Sequence, residues 1–526
     1  MNGNFWVIVY RFIMSNLDYI KKLYKGKNCY SDHMGSDELN ILHIKSNVES
    51  IIESLITKGK IVFITGNPGD GKTFIIKTLN LSSSIYKETD LNNVGNYQEV
   101  ADKVIDCYDT QKAALIAANE YPFLLLQKEI RSIRPDIANE IDQIKESAII
   151  YDNTSVDYGR VVVIDLNNRT LLDKDREIPK QILQRMHDLL KDEPNLSAPL
   201  KYNLNAINSG IVQERIVDLF NMAGLSNEHY AMRDILGAFS YILTICETEE
   251  DQNKLYYQAI FDGTNELLKA IQQYDPIYLS SPELDEQLWN GDIKTGWLFA
   301  IPEIWPADER YNDDVESAIQ LFKDIKRRYY FENTNEVELK QMQPSGIMDM
   351  DLFANFESQK SKIKDRIIRA INKLFLPSEN NRKELCVWTS HHYNLSMETS
   401  VAVSTSYIPA KELELLMPKP ARWLETMEYI PNHLLLKPKK GNGPDLPSLV
   451  LDVDFLRVLE SVDKGYPVAL LPPSYKQSAN TFLQQLNNAG YTEEYDDGDI
   501  VLASRNKSYK RVISIQDNKY SFNEED

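Results

Sequence analysis

Short, continuous apolar runs mark the first third of the chain. Ile61–Ile64 and Val161–Ile164 are rich in β-branched residues and bounded by turn residues, as buried parallel strands require. Ala113–Ala118 is a third run, and we expect it to form a strand that ends in Asn119 and Glu120. Segments of helical period separate these runs, and this alternation predicts an α/β fold with a parallel sheet.

The rest of the chain changes character twice. Helical periodicity dominates from about residue 206 to residue 377, whereas the later apolar runs are short, β-leaning and separated by Pro, Asn and Ser. We therefore predict six segments: an N-terminal helical segment at 1–58, an α/β core at 59–205, a helical lid at 206–275, a helical middle region at 276–377, a β-rich segment with a Lys/Gly/Pro linker at 378–444, and a small, winged-helix-like C-terminal α/β domain at 445–526.

The loop after the first apolar run carries the most specific motif. It matches the pattern G-x-x-x-x-G-K-T and comprises Gly66, Asn67, Pro68, Gly69, Asp70, Gly71, Lys72 and Thr73. The glycines allow backbone N–H groups to turn towards a phosphate. Lys72 supplies a cation for the β- and γ-phosphates, the Thr73 hydroxyl can ligate Mg²⁺, and the following helix directs its dipole at the anion. The motif predicts an ATP and Mg²⁺ site on a P-loop NTPase core, and the helical block that follows this core suits the lid of an AAA+-like protein.

Two carboxylates are candidates for the catalytic role. Asp165 follows four aliphatic residues, which is the Walker B pattern of a Mg²⁺ ligand. Glu120 follows a second apolar run and resembles the AAA+ Walker B motif with Asn119 in place of Asp, which makes Glu120 the base. In this second interpretation the strand ending at Asp165 is the next one over, and Asn167 or Asn168 senses the γ-phosphate. Both interpretations stay open at this point.

Arginine is the residue type that stabilises transition-state charge on phosphate. Arg169 follows the Asn pair, and we expect it to reach the γ-phosphate of a neighbouring subunit. Arg131 and Arg134 are weaker candidates. Arg233 begins a helix of the lid and resembles the lid arginine of AAA+ proteins. An ordinary surface salt bridge is the alternative interpretation for each of them.

Composition limits the classes of function. The chain has 526 residues, 43% of them hydrophobic, and a formal net charge of -20. This composition excludes a disordered chain, and it excludes nucleic-acid binding through overall charge. The four cysteines are far apart in sequence, which predicts neither a zinc site nor a disulfide framework and favours a reducing cytoplasm. The N-terminal apolar stretch 5–14 is shorter than the ~20 residues of a membrane span, and Met14 is an alternative start to Met1.

Positive charge clusters at three places. The clusters at 323–328 and 366–373 have helical spacing, and we expect them to be solvated helix faces. The third cluster, between two C-terminal strands, is a local basic patch that DNA phosphates could contact in a winged-helix domain, although an interaction domain for proteins is the alternative. Its members are Arg505, Lys507, Lys510 and Arg511. The pair His391 and His392 lacks further ligands at metal spacing, so we predict no metal there.

Three motifs together resemble a known family. They are Gly66–Thr73, Ile116–Glu120 and Val163–Arg169. Their combination resembles the ATPase subunit of bacterial phosphorothioation-dependent DNA restriction systems, the Dpt F family, and it is similar to related antiphage ATPases over residues 35–275. The resemblance implies a cytoplasmic ATPase that forms homo-oligomers and acts with other defence subunits on foreign DNA. An ATP-dependent assembly switch with little hydrolysis, serving as a scaffold for partners, is the alternative.

Overall fold

The computed structural model describes most of the chain in two compact units. The described residues are 15–24, 41–79, 81–151, 158–172, 177–225, 228–279, 281–290, 314–334, 346–375, 384–392, 401–440, 446–495, 500–504, 507–516 and 519–525. The first unit comprises Met1–Ala148, Ser155–Met348 and Pro420–Ile430, and the second comprises Ile149–Thr154, Asp349–Lys419 and Pro431–Asp526. The division into six segments is finer than this and stays a prediction.

The strands are numbered in chain order. They are β1 Ile61–Thr65, β2 Tyr86–Glu88, β3 Ala114–Ala117, β4 Ile149–Ile150, β5 Val161–Asp165, β6 Glu384–His392, β7 Val401–Pro409, β8 Leu413–Leu416, β9 Lys419–Pro420, β10 His433–Pro438, β11 Leu449–Asp452, β12 Glu493–Glu494, β13 Ile500–Ser504, β14 Lys507–Gln516 and β15 Lys519–Glu525.

The first unit is built on a four-stranded parallel sheet. Its order is β2-β3-β1-β5, so β1 lies at the centre with β3 on one side and β5 on the other. Every residue of β1 and β3 is buried, because helices cover both faces of the sheet. Phe63 packs on one face against Phe123, and Val62 packs on the other face with Ile52 and Leu115. The prediction of a mixed α/β fold with a parallel sheet is confirmed.

Helices make up most of the rest of the first unit. They are Asn16–Tyr24, Asn47–Thr57, Lys72–Thr78, Tyr97–Asp109, Glu120–Ile133, Pro135–Glu146, Ile178–Leu190, Ala198–Ile207, Gly210–Gly224, Met232–Thr244, Tyr256–Asp262, Glu266–Gln272, Pro282–Asn290 and Val315–Glu332. Within the predicted helical lid, the helix Tyr256–Asp262 ends before Gly263. The next helix starts afresh because the Asn265 side chain accepts a hydrogen bond from Leu268 N and caps it.

The basic cluster at 323–328 is not a solvated face, so that prediction is wrong. Lys326 and Arg327 are 2% and 5% exposed. Lys326 Nζ lies 2.8 Å from a carboxylate oxygen of Asp285, and Arg327 Nη2 lies 2.6 Å from Asp275 Oδ2. These carboxylates come from segments packed against the helix Val315–Glu332, and they compensate the cations that burial would otherwise penalise.

The second unit holds two antiparallel sheets and the helices Phe356–Phe375, Val453–Asp463 and Pro473–Asn488, while the helix Gly346–Ala354 runs across the boundary at Met348. One sheet has the order β11-β10-β8, and the other has the order β12-β7-β13-β14-β15 with β6 on β7. Since β13 pairs with β7, the strands after residue 500 share a sheet with residues 401–409, and the predicted boundary at 445 falls inside this unit.

Two further sequence predictions fall in the second unit. The basic cluster at 366–373 is not a fully solvated face, because Arg369 and Lys373 both form ion pairs with Asp463, at 2.7 and 2.9 Å. The predicted linker 437–444 begins within β10, and its residues 441–444 lie outside the described part of the chain. In the residues that the structure describes, no helix is long and apolar enough to cross a membrane.

Candidate functional site

The loop Gly66–Thr73 connects β1 to the helix Lys72–Thr78 and needs glycine at defined positions. Gly66, Gly69 and Gly71 have φ values of +143°, +104° and +84°, which L side chains rarely adopt. A Cβ added to Gly66 would lie 2.5 Å from Asp70 Oδ2. The backbone conformation of the loop therefore follows directly from the residues of the motif.

Lys72 is held inside this loop. Its side chain is buried, and Nζ donates hydrogen bonds to the carbonyl oxygens of Gly66 and Asn67, at 2.9 and 2.7 Å. Burial lowers the pKa of Lys72 below its ordinary 10.5, and four nearby carboxylates oppose that shift. These carboxylates belong to Asp70, Asp90, Asp165 and Glu120. The ammonium group thus lies at a helix N-terminus, within the electrostatic reach of the predicted catalytic carboxylates.

The start of the helix Met232–Thr244 packs directly on the loop. Asp70 Oδ2 accepts a hydrogen bond from Asn67 N at 2.6 Å, and Asp70 Oδ1 lies 2.7 Å from His229 Nε2. A Cβ added to Gly69 would lie 3.2 Å from Arg233 Cζ. Arg233 is therefore close to the loop, and its role as a lid arginine stays a prediction. His229 was not predicted, because nothing in its sequence surroundings indicates a carboxylate partner 159 residues away.

A cavity of about 310 Å³ opens beside the loop. Its lining includes Pro68, Gly69, Asp70, Gly71, Lys72 and Thr73, together with Asn119, Arg169 and Arg233. Its apolar lining residues include Tyr19, Leu23, Leu42, Ile44, Met232 and Leu236. A cavity that combines apolar side chains with cationic side chains and a glycine loop suits a ligand that carries both a flat ring and an anionic group.

Thr73, one predicted Mg²⁺ ligand, lies in the first turn of the helix that follows β1, and Asp165, the other, is the last residue of β5. Asp165 is in register with Thr65, the last residue of β1. Its Oδ1 accepts a hydrogen bond from Asn167 N at 3.1 Å. Burial raises the pKa of Asp165 above 3.8, and the charge of Glu120 adds to the shift. The Thr73 hydroxyl donates to the carbonyl oxygen of Thr89 at 3.4 Å.

The sequence predicts Glu120 at the end of a strand, but the residue lies at the start of a helix. β3 ends at Ala117, Asn119 takes the N-cap position, and Glu120 is the first residue of the helix Glu120–Ile133. The chain turns here because Phe123 N already bonds to the Asn119 carbonyl oxygen, at 3.0 Å. A carboxylate in the first turn of a helix is stabilised by the helix dipole.

Glu120 and Asn167 come together, although their strands are not neighbours. β1 lies between β3 and β5, so the expectation that the strand ending at Asp165 adjoins the one before Glu120 is wrong. Asn167 Nδ2 nevertheless lies 3.5 Å from Glu120 Oε1, and Lys145 Nζ lies 3.0 Å from Glu120 Oε2. Asn167 Oδ1 is buried and has no hydrogen-bond partner within the described residues. Asn168 is half-buried and closes the same turn.

Arg169 does not lie where the sequence predicts it, whereas Arg131 and Arg134 follow the alternative interpretation. Arg169 is 4% exposed, and its Nε donates to Glu428 Oε2 at 2.9 Å, so it does not reach out to another subunit. Arg131 and Arg134 form ion pairs on the surface, as the alternative interpretation proposed. Their partners are Asp142 for Arg131, and Asp109 and Asp136 for Arg134.

The remaining candidates lie in the second unit. Lys507, Lys510 and Arg511 are on β14, which pairs with β13 and β15, and Arg505 lies outside the described residues. His391 and His392 are on β6. Within the described ranges, no group of three or more His, Cys, Asp or Glu side chains is arranged to hold a metal ion.

Comparison of the chain with family models, curated proteins and solved structures gives no match. The resemblance to the Dpt F family therefore stays a prediction from the motifs.

Proposed function

We propose that the chain binds ATP at this cavity and hydrolyses it with Mg²⁺. The observation that carries the proposal is the convergence of Lys72, Asp165, Glu120 and Asn167 next to a glycine loop that opens onto a half-apolar cavity. Transfer of a phosphoryl group to water requires mainly positioning and charge stabilisation. The groups for both purposes are present around one loop, which supports a P-loop NTPase core.

Each residue has a distinct role in this proposal. Lys72 binds the β- and γ-phosphates, which requires Nζ to leave the carbonyl oxygens of Gly66 and Asn67. Thr73 and Asp165 are the oxygen donors that would hold Mg²⁺, whose charge offsets that of the phosphate oxygens. A carboxylate whose pKa is raised by burial suits this role, because a bound cation would relieve its unfavourable ionisation.

Glu120 orients and deprotonates the attacking water, and Asn167 assists it. The buried Oδ1 of Asn167 is an acceptor without a partner among the described residues, so it can accept a hydrogen bond from that water. Asn168, in the same turn, is the alternative sensor of the γ-phosphate, and Arg233, which lines the cavity, binds phosphate. The base of ATP contacts the apolar residues of the cavity lining.

A second candidate function is an ATP-dependent assembly switch with little hydrolysis. Two observations favour it: Asn119 stands where the AAA+ motif has Asp, and Lys145 occupies one oxygen of Glu120 at 3.0 Å. The attacking water would have to compete with Lys145 for that oxygen, so turnover would be slow until Lys145 moves.

The cellular role rests on the motif resemblance. We propose that the chain is a cytoplasmic, homo-oligomeric subunit of a DNA restriction or antiphage complex, with DNA contacted through the basic patch on β14. Retention of the chain on phosphorothioated and ordinary DNA, compared at two salt concentrations, tests that contact.

Phosphate release from the purified chain with ATP and Mg²⁺ tests the enzymatic proposal. We expect turnover on the order of 1 s⁻¹. Lys72→Ala should abolish nucleotide binding, whereas the exposed Lys77 on the same helix provides a matched control, Lys77→Ala, that binds normally. Glu120→Gln should bind ATP and hydrolyse it poorly. ATP binding without turnover in the wild-type chain would favour the switch, and failure to bind would refute both functions.

A further inference from the structure

A short segment from the C-terminal half of the chain completes the candidate site. Pro420–Ile430 belongs to the first unit, although the residues before and after it belong to the second. Two backbone hydrogen bonds seat it there: Ala421 N donates to Ala148 O, and Thr170 N donates to Glu428 O, each at 2.9 Å. Glu428 therefore lies immediately beside the turn that follows β5.

Both carboxylate oxygens of Glu428 are engaged. Its side chain is 1% exposed, and Oε2 accepts the hydrogen bond from Arg169 Nε at 2.9 Å. Oε1 accepts from Asn47 N, the first amide of the helix Asn47–Thr57, at 2.7 Å. A buried carboxylate is well accommodated here, because it meets a guanidinium on one side and a helix N-terminus on the other.

The contact with Glu428 uses only one edge of the Arg169 guanidinium. Nη2 of Arg169 is buried and has no hydrogen-bond partner in the part of the chain that the structure describes. Arg169 also lines the cavity, as do Asn119 and Lys72. A buried N–H donor without a partner is unfavourable, and an anionic oxygen in the cavity would satisfy it.

We propose that Glu428 is a positioning residue, which fixes the guanidinium of Arg169 so that its terminal nitrogens bind the γ-phosphate of ATP within the same subunit. This inference rests on the proposed nucleotide site and extends it. Because binding free energies are reciprocal, ATP binding stabilises the seated position of Pro420–Ile430, and loss of that seating weakens ATP binding. ADP, which lacks the γ-phosphate, has neither effect.

Isothermal titration of Glu428→Gln with ATP and with ADP tests the inference. The variant keeps the shape of the side chain and removes its charge. We expect ATP affinity to fall about tenfold while ADP affinity changes less than about twofold, since one charge-assisted hydrogen bond becomes misdirected. A fall that is equal for both nucleotides would indicate a merely structural role and overturn the inference.

Asp275→Asn is the matched control, because Asp275 forms an equally buried ion pair with Arg327 that does not line the cavity. It should leave the ratio of ATP to ADP affinity unchanged. In the Arg169→Gln background, Glu428→Gln should cause no further change in that ratio. If each substitution instead changes the ratio of ATP to ADP affinity independently, so that the two changes multiply, Glu428 does not act through Arg169.

A measurement on the wild-type chain covers the case in which the variants fail to fold. Hydrogen exchange at the amides of Asn47 and Thr170, which bond to Glu428, should slow with ATP and not with ADP. Equal protection by ATP and ADP would overturn the inference while leaving the proposed function intact. A wild-type chain that binds neither nucleotide would overturn both.

Discussion

Two parts of the candidate site are held in opposite ways. The loop wall, Gly66–Thr73, is one continuous stretch whose shape follows from glycine conformations. The distal part of the site, which we call the distal wall, consists of Glu120, Asn167 and Arg169, of which Arg169 lines the cavity. It is held by Lys145 and by Glu428, which is 259 residues from Arg169 in sequence. If the proposed function holds, nucleotide binding should depend on local backbone conformation, whereas turnover and the discrimination of ATP from ADP should depend on ion pairs between distant segments.

The largest effect should come from Gly66→Ala in the loop wall. The new Cβ would lie 2.5 Å from Asp70 Oδ2 and 3.0 Å from Leu166 Cβ, at a φ of +143°. We expect nucleotide affinity to fall by more than about 100-fold, because the loop cannot keep its conformation. Titration calorimetry measures this change. Gly210→Ala, where a Cβ meets nothing within 4 Å, should bind normally, and wild-type affinity in Gly66→Ala would refute the importance of loop conformation.

Asp165→Asn should separate activity from stability. We expect ATP turnover to fall about 100-fold, because the amide is a poor Mg²⁺ ligand. Thermal stability without nucleotide should stay equal or rise slightly, since the substitution removes a carboxylate whose ionisation burial disfavours. A fluorescence melt and a phosphate-release assay give the two values. A marked loss of stability would show that Asp165 supports the fold and not the reaction.

The pH dependence of ATP binding should reflect both walls. Asp165 has a raised pKa, so Mg²⁺-dependent affinity should increase as pH rises through that value and then level off. Lys72 has a lowered pKa, so affinity should decline again as pH rises through a value below 10.5, where the ammonium loses its proton. Titrations with and without Mg²⁺ distinguish the two limbs. A low-pH limb that persists without Mg²⁺ would contradict the assignment to Asp165.

Ionisation of Asp165 favours Mg²⁺ binding, but it lowers the stability of the fold. A raised pKa in the folded state contributes stability that is present below the unfolded value, and this contribution is lost as pH rises through the folded value. The protein without Mg²⁺ therefore gains nothing from ionising Asp165.

The smallest effect should come from Lys145→Met in the distal wall. Lys145 and Glu120 are 33% and 39% exposed, so their ion pair is worth only about 0.2–1 kcal/mol. Releasing Glu120 from it should raise turnover by at most about fivefold, with ATP affinity unchanged. Lys128→Met, at an exposed position of the helix Glu120–Ile133, is the control. A loss of turnover in Lys145→Met would mean that Lys145 itself takes part in the reaction.

The sequence predicts the parallel sheet and the loop because both are local. β1 and β5 read as apolar runs since they are buried on both faces, and the glycines of the motif meet their conformational need within a few residues. The burial of Arg327 could not be predicted from the local sequence pattern. Its partner Asp275 is 52 residues away, and the helical spacing around it resembles that of an exposed face.

The same reason explains what was missed at the site. Lys145 is 25 residues from Glu120, and His229 and Glu428 are farther still from their partners. Each is an ordinary charged or polar residue in its own segment. Their importance arises only from packing that brings separate elements together, and a pattern of a few residues carries no information about such contacts.

The position of Glu428 also has a consequence for synthesis on the ribosome. Arg169 emerges 259 residues before its partner, which corresponds to roughly 13–52 s at about 5–20 residues per second. During that interval the guanidinium of Arg169 and the amide of Asn47 lack the acceptor that both use in the folded protein. The first unit can form its sheet early in translation, but the distal wall is completed only after most of the chain has been made. A nascent chain released before residue 428 is made would therefore lack the Glu428 carboxylate beside its cavity. We expect chaperones to bind such an incomplete chain.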